Sequence, residues 1–334
     1  MKILITGAGG YIGSNASYLF LQKGYEVVGV DNFARGYRQP LELLQTKFGE
    51  KQMRFYEYDL RKDLKDLFEK EKKFDAVIHY GAYCNVGESM KEPETYFSND
   101  TWACANLLEH MVRNDIDKLV FSSTCAVYGE SQYVPLDESH PKHPISPYGD
   151  SKLMAEKIIE WYGALHNLKY VMLRYFNVCG ASDDATIGDS KKPSFHLMQN
   201  AVRGALGIEE FNLTCPEVDT PDRTPIRDYV NVVDLNEAHV FALEYLLRGG
   251  KNEAINLGTG NGNSVMEIVQ TVQKVTGKTF DVTKGATRAG DPARLFASTE
   301  KAKQILNWEP TRSLQQSVET LVKWYTSHPN GWEK

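Results

Sequence analysis

The chain has 334 residues, more than one hydrophobic core usually serves, so a large α/β domain with a second lobe is expected. With 42% hydrophobic and 25% charged residues the composition is that of an ordinary globular protein, which excludes a disordered or fibrous chain. A formal net charge of −6 gives no general pull toward nucleic acid or an anionic membrane, and no apolar run is long enough to span a bilayer. A small soluble ligand is the expected partner, with neither nucleic acid nor membrane.

Residues 2–6 (KILIT) are a short apolar run ending in GAGGYIGS, and residues 11–23 then carry helical spacing in Ile12, Tyr18, Leu19 and Leu21. Residues 26–30 (EVVGV) form the next strand, ending at Asp31, and MRFYEYD at 53–59 the third. An amphipathic helix using Leu64, Leu67 and Phe68 leads to the strand DAVIHY at 75–80. A long helix is predicted from Pro93 to Asn114, then a strand KLVFSS at 118–123, a helix over 148–166 and a strand YVMLRY at 170–175. Alternating strands and helices with near-continuous apolar strands predict a doubly wound parallel sheet of Rossmann type with a smaller α/β cap lobe.

Beyond residue 180 the stretch ASDDATIGDSKKPS reads as a loop over a site. AINLGTG at 254–260 reads as one more strand and turn, and Ser264 with Glu267 forms a capping box opening a helix from Val265 to Val275. Residues 1–176 are expected to form the dinucleotide-binding domain, with about 226–258 returning to it. Residues 177–225 and 259–334 are expected to form the substrate lobe.

The start MKILITGAGG enters a strand and glycine turn at once, which leaves no room for a signal peptide. The five cysteines are scattered, without CxxC spacing, as reduced thiols of a cytoplasmic protein are. The eight histidines show no HExxH pattern, so no metal site is expected.

Gly7, Gly10 and Gly13 form GxxGxxG after a strand and at the head of a helix, where backbone N–H groups and the helix dipole suit a pyrophosphate. Asp31 ends the second strand, where a carboxylate accepts hydrogen bonds from an adenosine ribose and repels a 2′-phosphate, favouring NAD over NADP. Asp59 ends the third strand and suits either an adenine edge or a purely local turn. FSSTCAVYGE at 121–130 sets Thr124 at the carboxyl end of a strand. SPYGDSK at 146–152 sets Tyr148 one helical turn before Lys152. Taken alone, that pair fits a solvated helix face as readily as a ligand site.

Jointly, TGAGGYIGS, VDN, VGES, SSTCAVYG, SPYGDSK, LRYFNVCGA, IRDYVNVVDL, INLGTGNGNSV and RAGDPARLFAS resemble the extended short-chain dehydrogenase/reductase family, and within it the nucleotide-sugar epimerases. The resemblance implies NAD-dependent 4-epimerisation of a UDP-sugar, most simply UDP-glucose and UDP-galactose, through a 4-keto intermediate. By matching motifs it assigns Gly7, Gly10, Tyr11, Ile12, Gly13, Asp31, Asn32, Asp59, Leu60, Asn99, Lys152 and Tyr175 to NAD. It assigns Thr124, Tyr148, Asn177, Arg227, Arg288 and Asp291 to the nucleotide sugar, the arginines meeting diphosphate. Tyr148 is then the general base, favoured as phenolate by the Lys152 ammonium, and Thr124 hydrogen-bonds the sugar hydroxyl. Dehydration is disfavoured, because the acid and base it needs after the Thr are here Cys125 and Ala126. A non-catalytic dinucleotide sensor would dispense with the Tyr and Lys, which are present. The family also implies a homodimer through the helices at 93–114 and 148–166.

The chain departs from the epimerase pattern at three places. Cys84 replaces a Lys that touches the cofactor, Arg223 occupies a Gly position, and Leu295 replaces a bulkier Tyr beside the sugar. The sugar therefore stays open to a UDP-N-acetylhexosamine, UDP-pentose or UDP-uronate.

Overall fold

The structure, a computed structural model, describes residues 1–190, 196–211, 213, 215–280 and 293–333. Arg288 and Asp291 lie outside the described residues. The chain divides into two compact units, the first made of Met1–Gly129, Pro141–Arg174 and Asn236–Ile255, the second of Glu130–His140, Tyr175–Leu235 and Asn256–Lys334. The segment returning to the first unit therefore begins at Asn236. Residues 226–231 belong to the second unit because they pair there in small sheets.

A seven-stranded sheet runs in the order Glu253–Leu257, Lys169–Tyr175, Lys118–Thr124, Ala76–His79, Lys2–Thr6, Glu26–Asp31, Met53–Glu57. Lys2–Thr6 pairs in parallel with both Glu26–Asp31 and Ala76–His79, and the latter pairs in parallel with Lys118–Thr124. These strands are apolar at nearly every position because helices cover both faces. Leu4, Val28, Val77, Leu119 and Phe121 are buried in one cluster with Leu67, Leu107, Leu108 and Ile159 from the helices. Each such side chain contributes about 1.5–3 kcal/mol when fully buried.

The helix expected from Pro93 to Asn114 is interrupted. Pro93–Tyr96 passes into a π-helical stretch, Phe97–Trp102, before regular helix resumes at Ala103–Arg113. A π-helical turn inserts an extra residue into the ladder, and here it carries Asn99 and Asp100 inward, both buried. The helix Pro147–His166 starts at Ser146, whose hydroxyl accepts the Gly149 N–H at 3.2 Å, with Pro147 in the first position.

In the second unit, Ile226–Arg227 lies between Asn263–Ser264 and Arg294–Leu295, and Asn177–Cys179 pairs with Tyr229–Asn231. Its core gathers Met198, Val202, Ile268, Val318, Leu321 and Trp324. The described part of the polar stretch expected as a loop over a site packs into this unit. Ile187 and Asp189 are fully buried, and the Trp324 indole donates to the Asp189 carbonyl at 2.8 Å. Among the described residues, no helix is long and apolar enough to cross a membrane.

Candidate active site

The turn after Lys2–Thr6 is built for close backbone approach. Gly7 has φ +68°, and a Cβ on Gly13 would stand 2.1 Å from the Gly7 carbonyl oxygen. The helix Tyr11–Gln22 is capped by Gly10, which has no side chain to satisfy the first turn, and no acidic residue occupies that turn. Tyr11 is buried and Ile12 half-buried, the Ile12 carbonyl accepting the Asn236 amide at 3.4 Å. Asp31 accepts the Gly9 N–H at 2.9 Å on one carboxylate oxygen and the Phe33 N–H at 2.8 Å on the other. Burial raises the Asp31 carboxyl above its usual range, and these backbone donors pull against that rise.

The neighbouring candidates divide. Leu60 reaches the turn's far wall, its Cδ1 lying 3.1 Å from where a Cβ on Gly81 would stand. The Asn32 side chain accepts the Ala34 N–H at 3.0 Å. Asp59 is held by Arg61, at 2.8 Å from Nε and 2.7 Å from Nη2, and this guanidinium lowers its carboxyl pKa.

At the catalytic end, Thr124 closes its strand and caps the short turn Cys125–Val127 by accepting the Ala126 N–H at 3.2 Å. Accepting there leaves the hydroxyl hydrogen to be donated. The helix bearing Tyr148 packs directly on this turn because position 149 is glycine: a Cβ would lie 2.6 Å from the Ala126 carbonyl oxygen. Tyr148 is 9% exposed, its ring edge-on to Tyr96 at 6.2 Å. One turn on, Lys152 is buried, donates to the Ser122 carbonyl at 2.7 Å and lies 4.7 Å from the Phe121 ring centre.

Sequence reasoning missed the group facing that ammonium. Asp100 accepts the Tyr83 N–H at 2.8 Å, the Asn99 amide at 3.0 Å and the Ser151 hydroxyl at 3.4 Å. Asn99 thus orients a carboxylate. Burial pushes Asp100 up to about 6 against the pull of Lys152, and burial lowers Lys152 against the pull of Asp100.

Behind the site, Glu156 accepts Ser123 Oγ at 2.6 Å and grips Arg174 through Nε at 2.8 Å and Nη2 at 2.7 Å. His79 shares a 2.6 Å hydrogen bond with Thr6, and burial with the Lys152 charge pushes it down to about 3.

The second unit carries Tyr175, Asn177 and Arg227. Tyr175 ends its strand half-buried, and Asn177 donates to the Asp228 carbonyl from its backbone at 3.0 Å and its amide at 3.2 Å. Arg227 is half-buried and pairs in register with Asn263 on one side and Leu295 on the other. The Asp228 carboxylate accepts from Thr259 N and Oγ1, both at 2.7 Å, and from Ala297 N at 3.1 Å, so it fixes the strands around Arg227. Arg223 has φ +64°, the left-handed conformation that favours glycine, and it pairs with Glu217.

An open parallel sheet with a glycine turn opening its first helix and an acid closing its second strand is the architecture of a dinucleotide-binding enzyme. The chain belongs to the NAD-dependent epimerase/dehydratase family, whose pattern it matches over residues 3–258. It is 41% identical to UDP-glucose 4-epimerase of Lacticaseibacillus casei, covering 99% of each chain. A crystal structure of a UDP-glucose 4-epimerase, 39% identical, superposes with TM-score 0.94 over 100% of both chains. That of UDP-glucose 4-epimerase from Brucella ovis in complex with NAD, 36% identical, has TM-score 0.90 and covers 96% of this chain and 97% of that one. NAD fits the residues present: the turn has no space for side chains at Gly13, the helix start offers uncapped N–H dipoles to a diphosphate, and each Asp31 oxygen keeps a lone pair for a ribose hydroxyl.

Proposed function

We propose that the chain is an NAD-dependent 4-epimerase interconverting UDP-glucose and UDP-galactose, with Tyr148 as the base. The observation that carries this is the seating of the Tyr148 helix on the Thr124 turn through Gly149, with the Lys152 ammonium buried one turn behind. Bound NAD would supply the hydride acceptor and donor for the sugar C4, the sugar passing through a 4-keto form. Tyr148 takes the C4 hydroxyl proton and gives it back, Lys152 favours the phenolate, and Thr124 donates to the sugar oxygen. Gly7, Gly10, Tyr11, Ile12 and Gly13 would hold the diphosphate of the cofactor, Asp31 and Asn32 its ribose, Asp59 and Leu60 its adenine end, and Asn99 and Tyr175 its nicotinamide end. Arg227 meets the diphosphate of the substrate and Asn177 orients it. On the motif match, Arg288 and Asp291 join them.

The protein works as a homodimer in the cytoplasm. Met154, Trp161 and Leu165 lie exposed along one side of Pro147–His166, as does Trp102 on the neighbouring helical segment, which supports a helix-to-helix contact. That none of the five cysteines is in a disulfide supports a reducing compartment.

The test is to incubate purified protein with UDP-galactose, UDP-GlcNAc, UDP-xylose and UDP-glucuronate without added NAD and follow C4 by NMR. Inversion of UDP-galactose is expected; no inversion even with NAD supplied overturns the reading. Tyr148→Phe should retain NAD and lose about 10²–10⁴-fold in turnover. Near-normal turnover would remove Tyr148 from the mechanism.

A further inference from the structure

The loop after Glu26–Asp31 and the segment after Ala76–His79 follow the two strands that flank Lys2–Thr6 in the sheet. Both therefore stand at the same end of the sheet as the glycine turn, one on each side of it. The loop is tied to the turn at its base: the Tyr37 N–H donates to the Gly9 carbonyl at 2.8 Å. Its tip then crosses to the other side. Arg35 presents Nη1 and Nη2 to the two carboxylate oxygens of Glu88 at 2.7 and 2.6 Å, and its guanidinium carbon lies 3.6 Å from the Tyr83 ring centre.

The far anchor is itself braced. The Tyr96 hydroxyl donates to Glu88 at 2.7 Å, and Tyr96 is the ring against which Tyr148 stands edge-on. The Arg35 and Glu88 side chains keep 40% and 28% exposure, so hydrophobic burial does not account for their fixed geometry. A two-point fork stacked on an aromatic ring is the arrangement that makes a partly exposed ion pair persist.

We propose that Arg35 and Glu88 form a latch that carries the 33–37 loop across the glycine turn and retains the bound dinucleotide between turns of catalysis. Both are positioning residues: they act on the loop and touch no reacting atom. The latch rests on the reading of this turn as the NAD site. A cofactor that must survive many cycles without leaving needs a slow escape route, and an ion pair bridging the two flanking loops supplies one without occupying the turn.

The test uses the purified holoenzyme. NAD remaining on the protein is quantified over time after desalting for the wild type, Arg35→Ala, Glu88→Gln and the exchanged pair Arg35→Glu with Glu88→Arg, each with a thermal melt. Release about tenfold faster in both single variants, at an unchanged melting temperature and slowed again in the exchanged pair, is expected. A lowered melting temperature without faster release assigns the pair to stability and overturns the latch, as does release at the wild-type rate. A wild type that carries no NAD, and binds none when it is added, overturns the reading of the site itself.

Discussion

Replacing Glu156 with Gln places a nearly isosteric neutral amide under a guanidinium that has no route to water. Arg174 is 2% exposed and Glu156 fully buried, and the carboxylate receives both guanidinium bonds and the Ser123 hydroxyl. Arg174 also donates to the Tyr128 hydroxyl at 3.0 Å, a bond that survives the substitution but neutralises no charge. Removing one partner of such a pair costs about 3–5 kcal/mol, mostly as the penalty of the orphaned ion. For a protein of marginal stability, about 5–15 kcal/mol, that is a large part of the total. Urea denaturation followed by tryptophan fluorescence reads it directly as a fall in midpoint at constant slope. The pair Glu156→Leu with Arg174→Met removes both charges and should recover most of the loss. A single-variant cost below about 1 kcal/mol, or a double variant no better than the single, would refute the orphan-charge argument.

His79 should make stability pH-dependent. Its folded-state pKa is about 3 and its unfolded value about 6.5, so between these the unfolded chain binds more protons and stability falls as pH drops. The slope from this group approaches ~1.4 kcal/mol per pH unit, and His79→Gln should flatten it in denaturation series across that window; identical slopes sink the assignment. Gly13→Ala should lose bound NAD and about 1–3 kcal/mol of stability, because the new Cβ meets the Gly7 carbonyl at 2.1 Å; retention of NAD would show that the turn can yield. Trp161→Glu should shift the sedimentation coefficient from dimer to monomer, whereas an unchanged coefficient places the contact elsewhere.

The sheet was legible because strands covered on both faces are apolar along their centres, as ILI at 3–5 and AVI at 76–78 are, all fully buried. The Ser264 and Glu267 capping box was legible because both of its bonds are local, and both are formed. The π-helical stretch was not, since Phe97–Trp102 keeps a helical composition and the extra residue shows only in the hydrogen-bond ladder. Asp100, Glu156 and Asp228 escaped for another reason. Each is an acid that takes at least one of its donors from far away in sequence, Ser151 for Asp100, Ser123 for Glu156, Thr259 and Ala297 for Asp228, so no short window along the chain contains the whole pattern. Gly149 was in view inside SPYGDSK, yet its meaning depends on the Ala126 carbonyl it admits.

The discontinuity of the first unit bears on the order in which the protein can be made. Its sheet acquires an edge strand only with Glu253–Leu257, and the helix Val232–Leu247 brings Asn236 to the Tyr80 hydroxyl at 2.9 Å and His239 to Ser122 at 3.1 Å. A ribosome that has released residues 1–174 has therefore delivered a sheet with one flank uncovered. Roughly eighty more residues, several seconds of synthesis at about 5–20 residues per second, must emerge before that flank closes. The nascent chain presents an open sheet edge throughout that interval, and a gene truncated after the sixth strand would leave it open for good.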